Sequence, residues 1–469
     1  MLATLGASML LPALVAGIRD HHDWQVFSAG AGFTIFVGGA MYLASRGGGG
    51  ELTVRQAFVL TAIIWIMMPA FAALPFVFSE LRLSYTDAFF EAMSGLTTTG
   101  STVIVGLDSA PPGLLIWRSI LQWFGGIGII VTAVAILPLL QVGGMQLFRT
   151  ESSDTSEKVL PRVAQIAAAT GLIYVVLTAI CAIALWLVGV PAFHAAAHAM
   201  TTIATGGFST SDGSVGTFSS APVDWIITAF MLLGSLPFVL YVQAARGRPM
   251  LLWRDAQVRW FFIIIAAGVA MMVAWTALAG DQPLGLAIRL SAFNVVSIIT
   301  GTGYSTTDYG QWGTFAIAGF FFFMFVGGCA GSTSCGIKIF RFQVLFATVQ
   351  VQMQRLLQPH GVFVAHYNQR PIPESVTDAV MSFFLFFIMI FGLLALALAG
   401  IGLDFTTSIS GAATAIANVG PGLGDIIGPT GTFKPLPDSA KWLLSAGMLL
   451  GRLELFTVLV LFTPRFWQG

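Results

Sequence analysis

Residues 300–306 read TGTGYST, a run of mostly small polar residues with two glycines, in a chain of which only 9% of the residues are charged. Because glycine carries no side chain, this run presents bare backbone rather than a packing surface. In a bilayer, non-helical backbone is tolerated only where it is buried in protein or lines a water-filled cavity. The segment is therefore a candidate pore lining.

The composition predicts that this segment belongs to a polytopic membrane protein. The 469 residues are 56% hydrophobic and have a mean hydropathy of +0.86, far above that of an ordinary soluble chain. The formal net charge is zero, which argues against nucleic acid as a partner. The 3 cysteines give no disulfide framework, and no Cys/His group has zinc-site spacing. We expect no bound cofactor and no enzymatic activity, because no nucleophile–base grouping is present.

Apolar runs of two lengths alternate along the chain. Crossing a hydrocarbon core about 30 Å thick takes ~20 residues, and about ten runs approach that length. They lie at roughly 1–17, 25–45, 56–78, 113–140, 163–190, 221–244, 259–280, 312–352, 376–400 and 439–463. Four shorter runs are typical of re-entrant pore helices, at Tyr85–Leu96, Ala192–Ile203, Leu284–Ile299 and Phe405–Ile416.

Each shorter run is followed by the same kind of sequence. The four sequels are TTTGST (97–102), IATGGFS (203–209), TGTGYST (300–306) and ANVGPGL (417–423). Aligning their central glycines selects Gly100, Gly206, Gly303 and Gly420, a loose repeat of about one hundred residues. Glycines that only let helices pack closely are the alternative. It is disfavoured because packing glycines recur along helices rather than after truncated ones.

The predicted fold is an all-α polytopic membrane protein with a fourfold internal repeat. Each unit is a helix, a pore helix, an extended glycine loop and a second helix, and the four units are parallel around a central pore. Two additional transmembrane helices, at 1–50, precede the repeats, which span 51–145, 146–250, 251–355 and 356–469. Rings of backbone carbonyls form selectivity filters, and the negative C-terminal ends of the pore helices favour a cation. The candidate ion-binding residues are Thr98, Thr99, Gly100, Ala204, Thr205, Gly206, Gly301, Thr302, Gly303, Asn418, Val419 and Gly420.

The helix after the third glycine loop is interrupted at 327–336, GGCAGSTSCG, which has no large side chain. Glycine disfavours helix by up to ~1 kcal/mol relative to alanine, so a loop at membrane depth is predicted here. Lys338, Arg452 and Glu454 are ionisable residues inside membrane segments, where such residues are functional-site hypotheses.

Arg452 follows Gly420 by the same interval as Cys335 follows Gly303, so it is expected to lie level with this loop. Its guanidinium can then bond loop carbonyls that a broken helix leaves unsatisfied. The alternative is a structural clamp, in which Arg452 pairs with Glu454 or a neighbouring chain. The candidate gate residues are Gly327, Gly328, Gly331, Gly336, Lys338 and Arg452.

The distribution of charge predicts the orientation. With the glycine loops outside, thirteen of the 21 Lys and Arg residues face inside, among them Arg341, and six face outside, among them Arg118 and Lys441. This distribution obeys the positive-inside rule and makes both termini cytoplasmic. Acidic residues lean outward, and Asp108, Asp212, Asp308 and Asp425 each follow a filter glycine closely. Loop solubility and a cation-concentrating mouth explain them equally well. The Arg-rich inner loop at 245–259 is a candidate docking surface, and contact with lipid headgroups explains it nearly as well.

Three stretches carry a family resemblance: VGGMQLFRTESSDTSEKVLPR (142–162), VGGCAGSTSCGIK (326–338) and MLLGRLELFTVLVLFTPRFW (448–467). With the fourfold repeat, they resemble the Trk/Ktr/HKT superfamily of potassium transporters, and its bacterial TrkH branch most closely. The resemblance implies potassium as the transported ion, bound at the filter residues. It also implies a bacterial inner-membrane homodimer with a pore in each protomer, and a cytosolic, nucleotide-binding regulatory subunit of the TrkA type. The fourth filter departs from the pattern because Val419 replaces the threonine.

One alternative from another class of transporter stays open. A secondary carrier, a symporter coupled to H⁺ or Na⁺, would bind its substrate at the membrane midplane between inverted repeats with broken helices. Here all four predicted repeats begin and end inside, so they are parallel and favour a pore.

Overall fold

The computed structural model describes residues 1–46, 53–135, 159–280, 282–368 and 370–468. The predicted boundaries near 50 and 145, and residues 142–158 of the first resemblance stretch, lie outside these residues. The described chain is mainly helical, with one antiparallel hairpin that pairs His366–Tyr367 with Arg370–Pro371.

Four short helices form where the shorter apolar runs predict them. They are Tyr85–Leu96, Ala192–Ile203, Leu284–Ile299 and Phe405–Ala417, and we call them pore helices 1 to 4. Side chains cap two of them, because Ser84 Oγ accepts the N–H of Asp87 (3.1 Å) and Asp404 Oδ2 accepts that of Thr407 (3.0 Å). The C-terminal halves of all four are buried, so each pore helix ends inside the protein.

Six helices are long and apolar enough to cross a membrane. The qualifying spans are Asp23–Ala44, Arg55–Phe78, Pro112–Ile130, Gln165–Leu187, Ala256–Leu278 and Glu374–Gly400. Two helix pairs pass the same test only across a sharp bend: Ala221–Gly234 with Phe238–Ala245, bent by 92°, and Asp438–Arg452 with Phe456–Phe462, bent by 107°. The described residues therefore hold six to eight spans.

Two of the about ten apolar runs are not among these spans. The first apolar run folds as two short helices, Leu2–Ser8 and Leu10–Ile18, and together they fall short of a span. The run at 312–352 is divided into Thr314–Phe323 and Ile339–Leu357 by the predicted glycine-rich interruption. The predicted interruption of the second run is thus confirmed.

The remaining elements are short or extend the spans. The span Arg55–Phe78 consists of two consecutive helices, Val54–Ala72 and Leu74–Phe78. Two other spans belong to longer helices, Pro112–Ala135 and Val159–Leu187. Short helices are Met250–Arg254, Gly424–Ile427, Phe456–Leu459 and Pro464–Gln468, and 3₁₀ turns are Leu107–Ser109, Ser214–Phe218, Tyr309–Trp312 and Val460–Phe462.

The four repeats close into a ring, because each pore helix meets the repeat before it. Pore helix 2 packs against Pro112–Ala135 of repeat 1, and pore helix 3 packs against Ala221–Gly234 of repeat 2. Pore helix 1 packs against Asp438–Arg452 of repeat 4. Between repeats 3 and 4, the N–H of Gly336 donates to the carbonyl of Ala417 at 2.9 Å. This order confirms the predicted arrangement of four units around one axis.

Candidate functional site

The four glycine segments that follow the pore helices share one backbone conformation. Each has two residues of positive φ separated by one residue: Thr98 (53°) and Gly100 (92°), Thr205 (48°) and Gly207 (77°), Gly301 (71°) and Gly303 (81°), Asn418 (51°) and Gly420 (111°). The N–H of the residue between them donates to the carbonyl five positions earlier, at 2.8–3.1 Å in all four segments. The segments are therefore equivalent in structure, and we call them filter segments 1 to 4.

This geometry corrects the alignment of the second repeat by one residue. Gly207, rather than Gly206, has the positive φ of the other three glycines. Gly206 takes the position of Thr99, and Ala204 lies one step before the segment. The sequence alignment missed this register because Gly206 and Gly207 are adjacent. Matching the Thr-Gly dipeptides of the repeats pairs Thr205 with Gly206 and so selects Gly206.

A second signal in the sequence carries the correct register. A hydroxyl side chain lies six positions before each of the four equivalent glycines, as Ser94, Thr201, Ser297 and Thr414. Counting back from Gly206 reaches Met200 instead. The backbone carbonyls of these four hydroxyl residues accept the N–H bonds described above.

Each filter glycine touches a carbonyl oxygen of the next repeat. A β-carbon on Gly100, Gly207, Gly303 or Gly420 would come closer than 3.0 Å to the carbonyl oxygen of Gly206, Thr302, Val419 or Thr99, respectively. Both the positive φ and this approach require glycine. Each contact joins one filter segment to the next, and the fourth contact joins segment 4 to segment 1. The four segments therefore form a closed ring around a common centre.

A cavity of about 70 Å³ is lined by all four equivalent glycines and by residues that follow them in each segment. Of the four acids considered for the mouth, Asp212 lines this cavity. Its Oδ1 accepts the N–H groups of Gly106 (3.1 Å) and Leu107 (3.0 Å). Asp108 accepts a hydrogen bond from Ser211 and Asp308 caps Gly310 (2.9 Å), so these two acids also stabilise loops.

A buried ion pair braces segment 1 and connects it to segment 2. Nε of Arg118 lies 2.8 Å from Oε1 of Glu91, and its Nη1 donates to the carbonyl of Ser209 at 2.6 Å. Glu91 Oε2 in turn accepts the N–H of Val103 (2.9 Å). The guanidinium also lies over the Phe208 ring, 4.1 Å from its centroid.

Gln122 makes segment 2 different from the other three. Its Nε2 donates to the carbonyl of Gly206, and its Oε1 accepts the N–H of Phe208 (3.0 Å). Segment 4 has its own link, because Asn418 Nδ2 donates to Thr99 Oγ1 and to the carbonyl of Met448, both at 2.9 Å. An Asn at this position also tolerates the left-handed conformation.

The predicted loop at 327–336 lies directly beneath the filter and meets all four repeats. Cys335 Sγ lies 3.4 Å from Thr98 Oγ1 of segment 1. Thr333 Oγ1 donates to the carbonyl of Ile203 (2.9 Å), Ser334 Oγ donates to that of Thr300 (2.6 Å), and Gly336 meets Ala417 as described above. The loop therefore covers one end of the ring.

Backbone contacts hold the two ends of this loop together. The N–H of Gly327 donates to the carbonyl of Ile337 (2.9 Å), and that of Ile337 donates to the carbonyl of Phe325 (3.0 Å). A β-carbon on Gly327 would collide with the carbonyl of Cys335, and one on Gly328 would lie 2.7 Å from Ser334 Cβ. Gly331 and Gly336 have φ of 76° and 72°. All four candidate gate glycines thus lie in one compact loop.

The two candidate gate cations both reach this loop. Nη1 of Arg452 lies 2.8 Å from Sγ of Cys335 and 3.4 Å from the carbonyl of Thr333. Its Nη2 donates to the carbonyl of Gly125 (3.1 Å). Nζ of Lys338 donates to the carbonyl of Ser334. The expected position of Arg452, level with Cys335, is confirmed.

The alternative pairing of Arg452 with Glu454 is wrong, because Glu454 forms its ion pair with Arg341. Arg341 is fully buried, although the charge distribution had placed it among the inner loop cations. Arg118 and Lys441 likewise counted as outer cations but are buried with Glu91 and Asp87. Charge counting assigns a side to each residue but does not detect buried partners.

Comparison with known proteins identifies the family. A family model described as TrkH, cation transport protein, matches residues 23–468. This chain belongs to the TrkH family. It is therefore a membrane transport protein rather than an enzyme, and the resemblance to the TrkH branch is confirmed.

Relatives in this family match over nearly the whole chain. The Trk system potassium uptake protein TrkI of Halomonas elongata is 47% identical over 99% of this chain and 94% of its own length. The Trk system potassium uptake protein TrkH of Salmonella typhimurium is 41% identical over 98% and 96%. The crystal structure of the potassium transporter TrkH from Vibrio parahaemolyticus superposes with a TM-score of 0.92 at 37% identity, covering 99% of this chain and 97% of that one.

Proposed function

We propose that this chain forms a potassium-conducting pore for uptake across the bacterial inner membrane. The observation that carries the proposal is the closed ring of four filter segments, in which each glycine packs against a carbonyl of the next repeat. Backbone carbonyls can replace the hydration shell of a potassium ion. Relatives named as potassium uptake proteins support potassium as the ion.

Under this proposal the filter follows the corrected register. The carbonyls at the level of Thr99, Gly206, Thr302 and Val419 form one ring, and those at Thr98, Thr205, Gly301 and Asn418 form a ring on its inner side. Ala204 then lies below the filter, beside the loop. The proposed repeats keep the sequence boundaries, 51–145, 146–250, 251–355 and 356–469, with the additional helices at 1–50.

The loop at 327–336 is the proposed gate. It blocks the inner end of the ring, has only small side chains and is held mainly by hydrogen bonds. Lys338 and Arg452 hold it through its carbonyls and Cys335. Movement of this loop away from the axis would open the pathway without changing the filter above it.

A regulatory partner would supply the preference for the open state. A ligand shifts a conformational equilibrium only by its differential affinity for the two states. The Trk system names of the relatives suggest association with other Trk components. We propose a cytosolic, nucleotide-binding subunit of the TrkA type, and a homodimer with a pore in each protomer. Both termini are proposed to be cytoplasmic, as the positive-inside rule indicates.

Ion flux in liposomes separates this pore from a carrier coupled to H⁺ or Na⁺. The purified chain with its partner would be reconstituted under imposed potassium, sodium and proton gradients. A pore moves potassium only down its own electrochemical gradient, whatever the other two gradients are. Uphill potassium movement driven by a proton or sodium gradient would establish symport instead.

A further inference from the structure

A second cavity, of about 870 Å³, lies at the end of the spans opposite the filter mouth. It is bordered by Phe238–Ala245, Met250–Arg254, the first turn of Ala256–Leu278, and Asn368 and Arg370 of the hairpin. Its volume falls within the range of about 300–1,000 Å³ that small-molecule sites occupy.

Three arginines line this cavity, namely Arg254, Arg259 and Arg370. All three are exposed, and among the residues that the structure describes none of them forms an ion pair within 4.0 Å. The lining also includes one acid, Asp255, whose Oδ1 accepts the N–H groups of Gln257 (2.9 Å) and Val258 (3.3 Å). That carboxylate caps a helix, so the cavity keeps an excess of positive charge.

The two walls that carry the arginines are joined by hydrogen bonds. Asn368 Oδ1, in the hairpin, accepts the N–H of Ala256 at 3.2 Å. Gln343 Nε2 donates to the carbonyl of the same Ala256 at 2.9 Å. Arg370 and Arg259 therefore lie on connected walls of the same cavity.

Apolar side chains border the cavity on the same short helix as Arg254. Met250 and Trp253 are 60% and 62% exposed, and Leu251 is 36% exposed. Tryptophan and arginine at the end of a membrane span are typical of the lipid–water interface. A free anion would leave these apolar groups in water. An amphipathic anion satisfies both parts of the site.

We infer that this cavity binds the phosphate headgroup of an anionic phospholipid from the adjacent leaflet, with its acyl chains along Met250, Leu251 and Trp253. This site is separate from the filter and does not depend on which ion the pore carries. Of the two explanations of the Arg-rich loop, this inference adopts contact with lipid at this position.

Native mass spectrometry of the purified, delipidated full chain tests the inference. Phosphatidylglycerol or phosphatidylcholine would be added to the wild type and to two double variants. Arg254→Gln with Arg370→Gln removes two cavity charges. Arg246→Gln with Arg248→Gln removes two exposed charges from the same loop that do not line the cavity. Gel filtration confirms that both variants fold.

We expect the wild type and the loop control to bind phosphatidylglycerol in preference to phosphatidylcholine. The cavity variant should bind phosphatidylglycerol roughly 30-fold more weakly, which corresponds to about 2 kcal/mol for two arginines. Inorganic phosphate at the same concentration should not displace the lipid. Equal losses in both variants, or no preference for the anionic lipid, would overturn the inference.

Two further outcomes would assign the cavity to other ligands. Displacement by inorganic phosphate would identify a site for free anions. Unchanged lipid binding combined with lost binding of a regulatory subunit would identify a protein docking site. The experiment measures lipid binding rather than ion flux. A negative result would therefore not contradict the proposed pore, and an absence of potassium flux would not contradict the lipid site.

Discussion

The guanidinium of Arg452 lies 2.8 Å from the sulfur of Cys335, across the contact between the helix Asp438–Arg452 of repeat 4 and the loop of repeat 3. The same side chain reaches the carbonyl of Gly125 in repeat 1. One cation from repeat 4 thus connects the loop beneath the filter to the helix behind the first filter segment. Arg452 is therefore one of the restraints on the loop, beside the hydrogen bonds that Thr333, Ser334 and Gly336 make to the other repeats.

Replacing Arg452 with alanine should raise potassium flux in the absence of the partner. Two charge-assisted hydrogen bonds are worth about 1.5–3 kcal/mol each, and about 1.4 kcal/mol is a factor of ten. The expected increase is therefore roughly 10² or more, with ion preference unchanged. Liposome flux measures it, and Arg465→Ala, an exposed arginine near the C-terminus, is the control. Lost flux from folded, dimeric protein would mean that Arg452 holds the pore together instead.

Two glycines of the loop, Gly336 and Gly331, provide a second test of whether displacing the loop raises potassium flux. Gly336 and Gly331 have similar positive φ, but a β-carbon on Gly336 would lie 3.0 Å from Cα of Gly327, whereas one on Gly331 meets nothing within 4 Å. Gly336→Ala should therefore displace the loop and raise flux without the partner. Gly331→Ala carries similar backbone strain and should change flux much less. Similar effects of both substitutions would show that backbone strain, rather than the close contact between Gly336 and Gly327, determines the position of the loop.

The second filter segment tests the corrected register. Gly207→Ser should reduce potassium-over-sodium discrimination as strongly as Gly100→Ser or Gly303→Ser, because serine disfavours the positive φ and would press on Thr302. Gly206→Ser should be milder. Its position corresponds to Thr99, Thr302 and Val419, and its β-carbon meets the flexible side chain of Gln122. Competition of sodium with rubidium uptake gives the ratio, and the opposite ranking would restore Gly206 as the equivalent glycine.

The pair of Arg118 and Glu91 should contribute strongly to stability. Breaking a buried ion pair from one side costs about 3–5 kcal/mol, so Arg118→Gln should lower the thermal unfolding midpoint in detergent markedly. Adding Glu91→Gln should recover part of the loss, because no buried charge then stands alone. Arg289→Gln, at a 3.5 Å pair that is partly exposed, should cost about 1 kcal/mol or less. A double variant worse than Arg118→Gln alone would contradict this account.

The pore helices could be predicted closely from the sequence, because a short apolar run followed by a glycine loop is a local pattern that does not depend on tertiary packing. The interval from Gly420 to Arg452 also sufficed to place that residue beside Cys335, since the repeats are parallel and similar in length. The register at Gly206–Gly207 was missed because adjacent glycines satisfy the same pattern, and only φ separates them. The Arg118–Glu91 and Arg341–Glu454 pairs were missed because they depend on how separate helices pack, which charge counting does not contain.

Crystals of the protein soaked in rubidium test the central claim most directly. The account predicts anomalous density on the axis, at equal distances from the carbonyl oxygens of Thr99, Gly206, Thr302 and Val419. The Gly207→Ser variant should lose that density. Rubidium bound away from this ring in the wild type, or an unchanged peak in the variant, would contradict a filter made by these four segments.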